Sequence, residues 1–378
     1  MARKVFFWVH KWLGLITGLI VLIISVTGCI NVFSDELKEY FYQDRMYVAV
    51  PEQGKFQSFT KLRDRAQQAI GSEHKITRSE LYPSGGRTWI FRATLTDKKG
   101  IGYWNYNKYY YRVYMNPYTG EVVHIEDTLN EFFQLMLSLH RNLLLGDTVG
   151  GIITGTSALC FFVLLISGLV LWFPRKWKKK AFNRGLALKL SVGKKRLIYD
   201  LHNVFGFYML IPAALIAVTG LVFVFDWADN SVQYVANGGQ AAKKLEIPLS
   251  TPHPDYNLSA ADRAIADLLQ RHRTADVFSV RFRDKETDPL DVQVRLAKNR
   301  THLFEWYYFD RNTGKLLLNY GDQDVKGGQK FRTMNYDLHT GAYAGMPTKM
   351  FAFLISLICA GMPVTGYIMW YNKFRKSK

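Results

Sequence analysis

Cysteine is scarce in this chain of 378 residues: Cys29, Cys160 and Cys359 are its three, and each lies in an uncharged apolar run. The two long polar segments therefore contain none. That excludes a disulfide framework, so these segments must fold on hydrophobic cores of their own. No nucleotide fingerprint, flavin-type loop or basic catalytic triad can be read either. Charge itself is missing from four stretches: Trp12–Phe33, Val149–Phe173, Val204–Phe225 and Met350–Tyr371 hold no Asp, Glu, Lys or Arg over 22, 25, 22 and 22 residues. Each is long enough to cross about 30 Å of hydrocarbon at 1.5 Å per residue. A purely soluble enzyme is excluded, and so is a protein with a single anchor.

Acidic residues are outnumbered, 31 against 49 Lys and Arg, for a net charge of +18. The excess is concentrated. Pro174–Ile198 carries ten basic residues and no acid, Arg3 and Lys4 precede the first run, and Lys373, Arg375, Lys376 and Lys378 follow the last. Short basic segments beside spans mark the cytoplasmic side, which accounts for the charge better than a nucleic-acid patch. This predicts both termini and 174–198 inside, with Ser34–Phe132 and Trp227–Met346 outside. Val26-Thr27-Gly28-Cys29 has the form of a lipoprotein cleavage box. The repeat below gives its Thr-Gly pair another reason to exist.

The chain repeats itself. His10 is followed by Gly14 and Thr27-Gly28, and His202 by Gly206 and Thr219-Gly220, at the same offsets. Leu139-His140 answers Leu338-His339, and Ser167-Gly168 with Trp172 answers Thr365-Gly366 with Trp370. Between the spans, Tyr114–Glu121 answers Tyr308–Lys315. The order is span, outer domain, span, twice over.

Each outer segment has the same local grammar. Phe59, Leu62, Ala66 and Ile70 keep helical spacing before Gly71. In the second copy Ala261, Ile265 and Leu268 do so behind a Ser259–Asp262 capping-box pattern. Strand-like runs cover Thr88–Thr94, Tyr109–Met115, Val277–Phe282, Leu290–Leu296 and Trp306–Phe309, and Asn116–Gly120 and Asp310–Gly314 read as hairpin turns. An α+β layer is the expectation, with Tyr106, Tyr109, Tyr110, Tyr111 and Tyr114 on an aromatic sheet face.

Of nine histidines, His74, His124, His253, His272 and His302 have no counterpart in the repeat and read as solvated surface. His10, His140, His202 and His339 each precede a span. With spans alternating in direction, His10 and His202 fall at the inner face and His140 and His339 at the outer. Zinc would need three or four ligands, whereas copper stays open because Met136, Met334 and Met346 are near. Haem b needs one imidazole on each side of its iron and a slot between helices. Gly14 and Gly206 would open such a slot, Gly28 and Gly220 would admit a second porphyrin, and Lys11 and Arg141 would meet propionates. His140 precedes Ser167 by 27 positions, too far for one straight span, so a break is expected near Gly146-Asp147 or Gly150-Gly151. The Phe133, Met136, His140 and Leu144 face would then lie in the interface.

His10-Lys11-Trp12-Leu13-Gly14, the Asn116–Gly120 and Asp310–Gly314 turns, and Leu139-His140, Leu201-His202 and Leu338-His339 resemble the PepSY-associated transmembrane family along essentially the whole chain. The resemblance is to bacterial inner-membrane ferrisiderophore reductases. It implies a membrane protein of four transmembrane helices in two duplicated pairs, plus two extracytoplasmic α+β PepSY-like domains. The segments would be 1–33, a first domain 34–132, an interfacial helix and span 133–173, a basic loop 174–198, a span 199–226, a second domain 227–335, a span with its histidine segment 336–371, and a tail 372–378. It further implies two haem b on His10, His202, His140 and His339, without fixing their pairing. Electrons would pass from a quinol or a cytoplasmic reductase to a ferric siderophore in the periplasm. Two rivals remain: a PepSY accessory protein that binds an uptake partner, and a histidine-based metal transporter.

Overall fold

The structure is a computed structural model that describes residues 2–174, 182, 185–241, 245–251, 258–283 and 285–375. Arg175, Lys176, Lys178, Lys179, Lys180, Arg184, Lys376, Lys378 and His253 lie outside the described residues. In chain order the elements are α1 (Ala2–Val32), α2 (Ser34–Phe41), α3 (Gln43–Met46), α4 (Phe59–Ile70), β1 (Ile76–Leu81), β2 (Trp89–Thr96), α5 (Tyr103–Tyr106), β3 (Asn107–Met115) and β4 (Val122–Asp127). There follow α6 (Phe132–Asn142), α7 (Ile152–Trp172), α8 (Lys194–Tyr208), α9 (Leu210–Val224), α10 (Asp226–Ala236) and α11 (Leu258–Arg271). The last are β5 (Val277–Arg281), β6 (Leu290–Ala297), β7 (Arg300–Phe309), β8 (Leu316–Gly321), α12 (Gly327–Thr340) and α13 (Met346–Phe374). The chain divides into a helical unit (Met1–Phe33, Met136–Ser231, Leu338–Lys378) and a sheet unit (Ser34–Leu135, Val232–Asp337).

In the helical unit α1 packs against α7 and α13, and α9 against α7. Among the described residues three helices are long and apolar enough to cross a membrane, and four if the bent pair α8–α9 counts as one span. The 67° bend at Met209 has a local cause. Pro212 has no N–H to offer the carbonyl of Tyr208, so the hydrogen-bond ladder breaks there. Close approach is set by small residues: Gly18 faces the hydroxyl of Tyr367, which donates to Leu15 O at 2.8 Å. The break expected after His140 occurs at Leu143, Leu144 and Gly146, all at positive φ, followed by a π turn over Asp147–Gly151. Gly150 is required there, because a Cβ would stand 1.8 Å from Asn142 O.

The two repeats of the sheet unit do not fold as separate layers. Their four-stranded meanders join edge to edge in one antiparallel sheet, β4-β3-β2-β1-β5-β6-β7-β8. At the seam Arg78 pairs with Arg281 and Leu81 with Phe278. One face carries the core, in which Phe59, Leu62 and Ala66 of α4 and Ala261, Ala264 and Leu268 of α11 cover Phe91, Val113, Phe278, Val280 and Val292. The other face alternates charge with aromatic rings: Arg92 bonds Glu80 and Tyr110, and Arg112 bonds Glu126 and Tyr110. The tyrosines divide between faces accordingly. Tyr110 and Tyr114 join this network, while Tyr109 and Tyr111 pack against the core and His74. Both turns are closed the same way, Asn116 Oδ1 accepting from Tyr118 N and Asp310 Oδ1 from Asn312 N, with Gly120 and Gly314 at φ 73° and 74°. The Asp262 carboxylate, read as part of a capping box, reaches the other repeat: it accepts from Thr60 N at 2.9 Å and Thr60 Oγ1 at 2.6 Å in the first turn of α4.

Candidate functional site

Directional alternation of the helices brings the four repeated histidines together in twos. His10 of α1 faces His202 of α8, with ring centres 6.2 Å apart and planes at 86°. His140 of α6 faces His339 of α12, with centres 6.0 Å apart and planes at 64°. α1 touches both pairs, since Gly28 lies against His140. Eighteen residues separate His10 from Gly28, about 27 Å along the helix.

Each imidazole is held by its Nδ1. His140 donates to Ile24 O at 2.7 Å and His339 to Ile216 O at 3.1 Å. A carbonyl can only accept, so the proton is on Nδ1 and the Nε2 lone pair is left for a ligand. His10 and His202 reach Ser167 Oγ and Thr365 Oγ1, both at 2.9 Å. Those hydroxyls spend their own protons on Leu164 O, Gly361 O and Met362 O, and therefore receive Nδ1–H too. Fixing one ring nitrogen in this way orients the other, as is usual around metal-bound histidine.

The rings rest on glycine. A Cβ would stand 3.2 Å from His10 Cε1 at Gly168, 3.3 Å from His140 at Gly28, 3.3 Å from His339 at Gly220 and 3.7 Å from His202 at Gly366. The four Ser/Thr-Gly dipeptides are thus four histidine seats, in which the hydroxyl residue meets or neighbours Nδ1 and the glycine makes room for the ring. Gly28 and Gly220, expected to admit a porphyrin, lie against the imidazoles of His140 and His339. Thr27 lies 3.4 Å from His140 Nδ1, so the Thr-Gly half of the cleavage-box pattern has a structural use.

A metal–imidazole bond is about 2.0 Å and Nε2 lies about 1.1 Å from the ring centre, so two imidazoles on opposite sides of one metal have centres about 6.2 Å apart. Both pairs have that separation. Beside His10 and His202 the helices leave a cavity of about 740 Å³, within the range of cofactor sites. Gly14, Gly206, Gly168 and Gly366 line it, with Lys4, Lys11 and Lys373 also on the wall. Gly14 is open apart from a Leu164 methyl, and Gly206 meets only Met362 Cε at 3.2 Å. Lys11 Nζ lies 4.3 Å over the Trp12 ring. Arg141 is engaged elsewhere, exposed and bonded to Asp147 at 3.1 Å. Among the described residues no cluster of three or more His, Cys, Asp or Glu could hold a metal ion. The described residues thus offer two facing imidazoles at each place, with the spacing that a bis-histidine metal requires.

Ser167, Thr365, Gly168 and Gly366 were not expected as site residues, although the repeat aligned them. Their role needs the neighbouring helix, which the sequence does not identify. His302 is not solvated surface either: it is buried, with Nδ1 2.5 Å from Asp337, which also accepts from Thr301 N and His302 N. His272 bonds the Tyr307 hydroxyl at 2.8 Å.

No curated protein matches the chain. Over residues 7–373, nearly its full length, it matches the family described as the PepSY-associated TM region, and with its apolar helices and antiparallel sheet it is a membrane protein belonging to that family.

Proposed function

We propose that the protein is a transmembrane electron-transfer protein that carries two haem b and reduces a ferric siderophore outside a bacterial inner membrane, releasing iron(II). The observation that carries this reading is the pair of imidazole pairs, each at the spacing of a bis-histidine metal and each with Nδ1 committed and Nε2 free. Haem held by His10 with His202, and by His140 with His339, would supply a one-electron iron(III)/iron(II) couple suited to electron transfer.

The chain's part is to hold and orient. The starts of the helices that carry His10 and His202 hold Arg3, Lys4, Lys194 and Lys195, and Lys373 lies in the last turn of α13, which supports a cytoplasmic side for that pair and the opposite side for His140 and His339. Lys4, Lys11 and Lys373 are placed to neutralise propionates at the first cavity. The electron donor is a quinol or a cytoplasmic reductase. The acceptor follows from coordination chemistry: iron(III) is gripped by hard oxygen ligands, and reduction loosens that grip.

The test is anaerobic. Detergent-purified protein is reduced with dithionite, freed of excess reductant and mixed with a ferric siderophore beside an iron(II)-specific chelator. Return of the oxidised spectrum with stoichiometric iron(II) is the expected result. A colourless protein, or reduced bands that persist beside the ferric complex, would contradict the proposal.

A further inference from the structure

The two repeats close one connection differently. In the second, β6 passes to β7 through Lys298 and Asn299 alone, with Ala297 paired to Arg300. In the first, β2 ends at Thr96 and β3 starts at Asn107, and these two residues pair across a loop of residues 97–106. The sheet itself needs only a tight turn here, so the longer loop serves something other than strand pairing.

That loop is firmly built. A Cβ at Gly100 would stand 2.3 Å from Asn105 O, and Gly102 has φ 87°. Its backbone donors turn inward: Asp97 N bonds Tyr106 O at 2.7 Å, while Lys99 N bonds Asp97 Oδ1, Gly100 N bonds Asp97 O and Tyr106 N bonds Gly102 O, each at 2.9 Å. Tyr103 and Tyr106 are buried, and the Tyr103 hydroxyl donates to Leu129 O at 3.0 Å. The same scaffold turns Ile101 and Trp104 outward, 65% and 59% exposed. Trp104 offers apolar ring rather than polar edge, because its Nε1–H already donates to Asn130 Oδ1 at 3.2 Å. A ring whose polar hydrogen is satisfied can leave water without orphaning it.

What covers the pair follows from where the loop is tied. Leu129 and Asn130 lead into α6, whose first residue, Phe132, is itself exposed. About one turn later, at Met136, the same helix belongs to the helical unit, which holds the helices long and apolar enough to cross a membrane. Lys98, Lys99 and Lys108 are exposed near the apolar pair, Lys108 3.6 Å from the Asp97 carboxylate. Tryptophan and isoleucine flanked by lysine, close to where the chain enters lipid, have the chemistry of a bilayer interface. We propose that residues 97–106 are an interfacial anchor: Ile101 and Trp104 enter the boundary between headgroups and acyl chains, and the lysines meet lipid phosphates. The anchor requires a bilayer but no haem, so it stands or falls apart from the function proposed above.

The experiment uses the full-length protein in phospholipid nanodiscs, with Cys29, Cys160 and Cys359 replaced by alanine. An environment-sensitive fluorophore is placed on Ile101→Cys and, for comparison, on Gln270→Cys at an exposed position of α11. Emission from position 101 is expected to lie to the blue of that from 270. It is also expected to be quenched more strongly by lipid carrying a nitroxide near the headgroup than by lipid carrying one at the chain end, as for a group about 5–10 Å into the boundary. Lipid quenching at 101 no greater than at 270 overturns the proposal. So does a probe at 101 that is shielded from aqueous iodide yet untouched by nitroxide lipid, since protein would then cover the loop. If the cysteine-free chain fails to fold, the indole carries the same test: brominated lipid should quench the fluorescence that Trp104→Phe removes, and a Trp104 contribution indifferent to brominated lipid overturns the anchor.

Discussion

Gly220 yields its side-chain space to His339: a Cβ there would stand 3.3 Å from Cε1 of the imidazole, closer than side chains ordinarily pack. Gly168 stands in the same relation to His10 at 3.2 Å, whereas at Gly366 the distance to His202 is 3.7 Å, an ordinary contact. Alanine should therefore separate the seats. Gly220→Ala and Gly168→Ala must push an imidazole by a few tenths of an ångström and are expected to loosen one of the two proposed haem sites each, by about tenfold in retention. Gly366→Ala is expected to keep both. Cofactor content after extended washing in detergent distinguishes them, and equal behaviour of the three would count against the seats.

Ser167 and Thr365 meet the histidine pair through Nδ1 of His10 and His202. Ser167→Ala and Thr365→Val leave Nε2, the nitrogen proposed to ligate, in place but remove the acceptor that fixes its direction. A loss of about 10- to 100-fold in metal retention at that site is expected. Thr365→Ser, which keeps the oxygen, should restore most of it, while rescue absent in the serine variant would assign Thr365 a packing role.

In the sheet unit, Asp262 receives Thr60 N and Oγ1 across the repeat. Asp262→Ala removes the partner of an otherwise orphaned first-turn donor and should cost about 1 kcal/mol. For a unit of this size that is a fall of about 2–4 °C in melting temperature. An unchanged melt would show that water replaces the carboxylate without loss.

Burial opposes charge on Glu80, but Arg92, Arg112 and Arg78 more than offset it and hold its pKa at about 2. A carboxyl depressed in the fold stabilises it fully above its unfolded value, near 4.5, and less as pH falls towards 2. The sheet unit is expected to lose stability over that interval. Glu80→Gln should flatten the dependence there while lowering stability at neutral pH, which acid titration of the melting temperature measures.

The repeat, the uncharged spans and the meeting of His10 with His202 and His140 with His339 were legible because alternation of span direction is nearly all that they require. Helices α4 and α11 and the longer strands followed from periodicity. What could not be read depends on a partner distant in sequence. Ile76–Leu81 has Arg78 and Glu80 on one face, so β1 gave little strand signal, and nothing in it announces pairing with β5 to fuse the two layers. Asp262 reads as a cap because of its spacing from Ser259, yet a competing donor, Thr60, claims it through tertiary contact. The ion pair of Arg141 with Asp147 was not legible either, because the turn at Gly146 is what brings the two together. The bend at Met209 had its cause in view at Pro212, but the span is uncharged on both sides and hydropathy passes over it.

The crossed imidazole planes, 86° and 64°, lead to the most direct measurement. Haem is counted per chain as the pyridine complex, in the wild type and in His10→Ala, His202→Ala, His140→Ala and His339→Ala, with the ferric low-spin resonance recorded alongside. Two haems in the wild type, one in each variant, and the strongly anisotropic signals of crossed axial ligands are the expected result. Two haems surviving in any of the four variants with an unaltered resonance, or no haem in the wild type, would contradict it.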